Sequence, residues 1–120
     1  MRKKTPEITV VTDAAYPENT LLMVQADGTY TAGTAEAGDA AKIAGVQIHA
    51  TFAAGETTMR MLNAEGTMNF IAAEAVVDLT VPLRAAAGGE VAPSGAGAIV
   101  AMPLRAAVAG EYVEGRAYRG

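Results

Sequence analysis

The sequence predicts an all-β fold, a small β-barrel or β-sandwich with room for one short helix near residues 72–77. Three observations predict it: glycine- and proline-bearing turns recur along the chain, strand-length pieces lie between them, and several pieces alternate apolar and polar residues. Turn punctuation falls at Pro17-Glu18-Asn19, Asp27-Gly28, Gly38-Asp39, Gly55-Glu56, Glu65-Gly66, Gly88-Gly89, Pro93-Ser94-Gly95 and Gly110-Glu111. Turns at that spacing suit a barrel or sandwich better than a helical bundle.

Taken in order, Ile8–Thr12 is dense in β-branched residues, which fit a pleated strand. Leu21–Gln25 and Thr29–Ala32 flank Asp27-Gly28 as the arms of a hairpin. Val46, Ile48, Ala50 and Phe52 alternate with Gln47, His49 and Thr51, placing the first set toward a core and the second toward solvent. After Gly55-Glu56, Met59 and Met61 resume the apolar side opposite Thr58 and Arg60, which makes a second hairpin. Val77, Leu79 and Val81 alternate with Asp78 and Thr80 up to Pro82, whose missing N–H marks a strand end or sheet edge. Alanine favours helix over Ala35–Ala44 and Ala72–Val77, but Gly38 and Gly45 interrupt the first segment, leaving the second as the place for a short helix.

The Val81–Ala87 segment is echoed 21 residues later by Met102–Val108, and each copy is followed by a Gly-Glu pair. Two copies do not make a solenoid, which needs at least three stacked units, so the echo predicts two similar strand-and-turn elements. Arg84 and Arg105 occupy matched places in it and read first as solvated side chains.

A chain of 120 residues holds one core. That core is thin: 51% of the residues are hydrophobic, but 27 are alanine, and Val, Ile, Leu and Phe together make only 24. A buried alanine methyl contributes about 0.8 kcal/mol, against about 1.5–3 for a buried Val or Leu, so association with a partner surface is the expected supplement. There is no cysteine, hence no disulfide and no thiolate. The basic start is not followed by an apolar run of the kind an export signal has, and no stretch is long and apolar enough to span a membrane. The expectation is a soluble domain, residues 8–120, preceded by a flexible arm of residues 1–7.

Charge is unevenly placed. Arg2, Lys3 and Lys4 crowd the start and Arg116 and Arg119 the end, while residues 7–115 carry 13 acidic side chains against 4 basic ones. Such a body repels nucleic acid, and the terminal cations are too few for a phosphate-tracking stripe. No nucleic-acid or membrane partner is expected.

Catalytic and metal constellations are absent from the pattern. His49 is the only histidine and falls on the polar side of its strand. No H-x-x-x-H pair or calcium-loop spacing occurs. Ser94 lacks the preceding glycine of a nucleophile elbow, and Gly95-x-Gly97 lacks the third glycine and helix of a dinucleotide fingerprint. Glu74 and Asp78 would share a face only in a helix. The reading is no enzyme, no cofactor and no metal.

The run Ala37-Gly38-Asp39, then Ile43-Ala44-Gly45-Val46, then Ala53-Ala54-Gly55-Glu56, and finally Ile99-Val100-Ala101-Met102-Pro103-Leu104 with Ala109-Gly110-Glu111-Tyr112-Val113 resembles the small capsid cement, or head decoration, proteins of tailed bacteriophages. The resemblance covers about residues 20–118. It implies a β-barrel or sandwich-like subunit, a homotrimer in preference to a dimer, on the outer surface of the phage head. Its partner would be the major capsid protein, whose lattice it would brace. The basic stretch before the first strand departs from the pattern. Contact with the shell is expected first at Arg2, Lys3, Lys4, Thr5, Pro6 and Glu7, by strand addition or by cations on an acidic patch, and second at Arg116 and Arg119. A receptor-binding or adhesion module is the rival reading, disfavoured by four tyrosines, two phenylalanines and no tryptophan.

Overall fold

The computed structural model describes residues 7–62 and 67–117. These residues form two sheets that share a core. The first sheet contains β1 (Glu7–Thr12), β2 (Leu21–Val24), β3 (Tyr30–Ala32), β4 (Ile43–Gln47) and β5 (Gly55–Met61), closed into a barrel in the order β1-β3-β2-β4-β5. The second contains β6 (Thr67–Ile71), β7 (Leu83–Ala85), β8 (Val91–Ala92), β9 (Ile99–Pro103) and β10 (Tyr112–Ala117), in the order β6-β10-β9-β7-β8. The all-β expectation holds, with a barrel and a second sheet together in one chain.

Both expected hairpins form. β2 pairs antiparallel with β3, Leu22 opposite Ala32, and β4 pairs antiparallel with β5, Val46 opposite Arg60. The Asp27-Gly28 turn is closed twice: the Gly28 N–H donates to the Gln25 carbonyl, and the Asp27 carboxylate accepts from both the N–H and the hydroxyl of Thr29. β1 closes the barrel through six antiparallel pairs with β5 and a single parallel pair, Thr12 with Tyr30.

Side-chain direction explains how a thin core suffices. Within the barrel, Leu22 packs with Val10 and Met59. Its neighbours Leu21 and Met23 point the other way, onto Ile43, Val46, Phe70, Leu83 and Val100 of the layer between barrel and second sheet. β2 is therefore buried on both faces, as a strand without polar alternation should be. Gly89 joins the two layers. Its N–H donates to the Gly33 carbonyl, its φ is +78°, and a Cβ there would lie 2.4 Å from Thr20 Cγ2 and 2.9 Å from the Leu21 carbonyl oxygen. Only glycine permits both the conformation and the approach.

Four expectations are corrected. No helix forms over residues 72–77, because sheet partners take the backbone groups that a helix would use: Ala72 N–H donates to Glu111, Ala73 N–H to Val91, and Val76 and Ala107 exchange both hydrogen bonds. The helical turns are 3₁₀ segments at Ala37–Lys42 and Ala87–Gly89. Val77–Val81 is not a strand, since the Asp78 carboxylate accepts from the N–H and hydroxyl of Thr80 and folds the chain into a turn, the arrangement also seen at Asp27. β4 ends at Gln47, so Phe52 lies beyond it and is 98% exposed, while Gln47, expected at the surface, is buried. The two echoed segments are not equivalent: Leu83 is buried inside β7, whereas Leu104 is exposed just past the end of β9.

Candidate interaction surfaces

The groups with catalytic potential stay apart or are already paired. His49 is exposed in the loop after β4. Ser94, in the loop between β8 and β9, donates its hydroxyl to Glu74 at 3.0 Å, a partnership hidden in the sequence by the 20 residues between them. Among the described residues, no three His, Asp or Glu side chains converge on a point where a metal ion would sit. None of their helices is long and apolar enough to cross a membrane.

Of the residues expected to touch a partner, Arg2, Lys3, Lys4, Thr5, Pro6 and Arg119 lie outside the described residues. Glu7 opens β1 opposite Arg60, and Arg116 lies in β10 opposite Thr67 and Met102. Glu7 thus lies in the barrel and Arg116 in the second sheet. On the same face of β10, Glu114 accepts from the Thr67 hydroxyl at 3.0 Å and meets Arg105 at 3.3 Å. With Arg105 mostly exposed, that ion pair adds little stability. Arg84, the matched arginine of the echo, is instead half-buried and donates to the Gly97 carbonyl at 3.2 Å.

Apolar surface that the sequence did not announce lies on the bridge between Val76 and Ala107. These two side chains point into the core, so their chain neighbours point outward on the opposite face. Ala75, Val77, Ala106 and Val108 are all exposed there, Val77 at 81% and Val108 at 57%, with Leu79 and Leu104 exposed in the flanking loops. The available signal was the echo itself, which carries Ala106-Ala107-Val108 just after a strand end.

A second apolar feature is the tip of the β4–β5 hairpin. Phe52 stands there between the exposed Ala50, Ala53 and Ala54. The tip is braced from below: Thr51 N–H donates to the Tyr16 carbonyl at 2.9 Å, Tyr16 N–H donates back to Thr51 Oγ1 at 3.0 Å, and Tyr16 Oη donates to Asp13 at 2.6 Å. Desolvation, followed by that hydrogen bond to Asp13, raises the Tyr16 phenol above its ordinary value and keeps it a donor.

A concave surface lies at the seam between the layers. This open cleft of about 520 Å³ has Ala37, Ala40 and Ala41 of the 3₁₀ segment on one side and Arg84 with residues 96–99 on the other. Gly97 keeps that wall thin, since a Cβ on it would fall 2.1 Å from the Ala85 carbonyl oxygen. Arg84 is the one charged side chain lining the cleft; on the adjoining 3₁₀ segment Asp39 is paired with Lys42 at 3.2 Å.

The fold has a solved counterpart. It is similar to the crystal structure of the head fiber gp8.5 N base in bacteriophage phi29, with a TM-score of 0.65 over 95% of this chain and 94% of that one. Sequence identity is 14%, so the likeness is one of fold. No protein-family model matches the sequence, and no curated protein does.

Proposed function

We propose that this chain is a structural protein of a bacteriophage virion that binds the outer surface of the head and stabilises the lattice of the major capsid protein. The observation that carries the reading is the likeness to the phi29 head fiber base, which spans nearly the whole of both chains rather than a shared fragment. The surfaces support it. Exposed apolar side chains on ordered loops suit docking, and the alanine-filled core gains from any partner that binds only the folded state.

In this reading the chain assembles as a homotrimer rather than a dimer and lies on the shell in many copies, so a weak contact per copy is enough. The shell-facing residues in this reading are first Arg2, Lys3, Lys4, Thr5, Pro6 and Glu7, and second Arg116 and Arg119. Their charge is opposite to that of the acidic body, which orients the subunit on an acidic patch of the shell.

The test is co-sedimentation of the purified chain with full and emptied heads of its phage, alongside host cells. Binding to heads and a higher temperature for shell disruption are expected, both lost when residues 1–6 are removed and Arg116 and Arg119 are replaced by alanine. Binding to host cells with none to heads would overturn the reading in favour of an adhesion module.

A further inference from the structure

Phe52 and the alanine-lined cleft are complementary features at two separate places on the molecule. The ring is held out by a hairpin tip whose backbone is fixed through Thr51, Tyr16 and Asp13, so little conformational freedom remains to be lost on binding. Its shoulders are alanines, which let a partner's backbone come close. The charged groups nearby are acidic: Asp13 follows β1, and Glu56 lies opposite Val11 in the same end of the barrel. No lysine or arginine occurs from residue 5 to 41 or from 43 to 59.

The cleft has the opposite character. It is lined by five alanines, Gly97, Ile99 and, among the described residues, a single charged side chain, the cation Arg84. A cavity of about 150 Å³ already accepts a benzene ring. At about 520 Å³, the cleft has room for the Phe52 ring together with its alanine shoulders.

The two features cannot meet within one molecule. The 3₁₀ segment that walls the cleft leads directly into β4, and the tip lies beyond the far end of that strand. A strand of five residues spans about 17 Å. We infer that the Phe52 tip of one copy inserts into the alanine-lined cleft of a second copy, with Asp13 and Glu56 beside Arg84. The contact is heterologous, tip to cleft, so repetition closes a ring of copies or grows a filament. A closed ring deepens the homo-oligomer part of the function proposed above and rests on that part alone.

The absence of cysteine from the chain makes the test direct. Ala53→Cys places a thiol on the tip and Ala41→Cys one on the cleft wall. Under mild oxidation, an equimolar mixture of the two single variants is expected to yield covalent dimers, and neither variant alone should. A chain carrying both substitutions should yield covalent oligomers of the native size. In sedimentation equilibrium, Phe52→Ala should weaken assembly at least tenfold, with an unchanged circular dichroism spectrum. Self-linking of either single variant, unaltered assembly of Phe52→Ala, or a wild-type chain that is monomeric at high concentration would each overturn the inference. Co-sedimentation with heads separates the two proposals: an oligomer that binds heads and is unaltered by Phe52→Ala removes this contact alone, a monomer that binds heads removes the contact and the homotrimer but leaves the head-binding role, and a tip-to-cleft oligomer that ignores heads removes the head-binding role alone.

Discussion

Gln47, fully buried at the end of β4, donates through Nε2 to the Tyr16 carbonyl at 2.8 Å. The same carbonyl accepts from Thr51 N–H, and the Gln47 backbone bonds Asn19 N–H and the Thr20 carbonyl. One side chain and its backbone thus tie the loop after β1 to the hairpin that carries Phe52. Gln47→Ala removes that tie and leaves a void, and is expected to cost about 1–3 kcal/mol. Urea titration measures the loss, and faster amide exchange at Thr51 would locate it at the hairpin.

Neighbouring glycines should answer very differently to the same substitution. Gly88→Ala meets open space and carries only the strain of a positive φ, roughly 1–2 kcal/mol. Gly89→Ala adds a collision with Thr20 and the Leu21 carbonyl and is expected to cost at least about 3 kcal/mol. A shift in urea midpoint no larger for Gly89→Ala than for Gly88→Ala would refute the joint between the layers.

Among the described residues, the fully buried core has one aromatic member, Phe70, with no exposed surface. Phe70→Ala is expected to lose about 3–5 kcal/mol, a large part of a domain's usual 5–15. Calorimetry should therefore show a melting transition lowered well below that of the wild type.

Asp27 and Asp78 make the same turn twice. Hydrogen bonds from the hydroxyl, then the N–H, of Thr29 and Thr80 hold these exposed carboxyls below their ordinary value of 3.8. Because the folded value is the lower one, the stabilisation is fully present above the unfolded value and disappears as pH falls through the folded one. Replacing both residues by asparagine, which resembles the protonated carboxyl, should lower the urea midpoint near neutral pH toward its acid value and so flatten the fall between about pH 5 and pH 2. An undiminished fall would assign the acid sensitivity elsewhere, Asp39 being next, since Thr34 and Lys42 lower its carboxyl in the same way.

The local signals in the sequence proved sound for turns and for β-branched runs. Asp27-Gly28 and Gly55-Glu56 mark hairpins that form, and the β-branched run at Ile8–Thr12 becomes β1. Alternation failed where a loop covers a polar side chain or a side chain binds its own backbone. In β4 it named Gln47 as solvent-facing, but that side chain is covered by the loop at Tyr16 and Pro17. At Val77–Val81 a side chain binding its own backbone outweighed alternation. Of the expected contact residues, Glu7 and Arg116 carry no sequence cue that they belong to different sheets; the pairing of β1 with β5 and β6 with β10 decides it.

By itself, then, the sequence determined the class: turns at short intervals and β-branched segments demand sheets, and a chain so rich in alanine cannot fill a deep core. Only the tertiary structure decided that the first five strands close into a barrel, that Val76 and Ala107 meet, and that Phe52 is left standing in solvent. Those outcomes depend on contacts between residues tens of positions apart, whose strength is set by which surfaces meet and not by the local order of side chains.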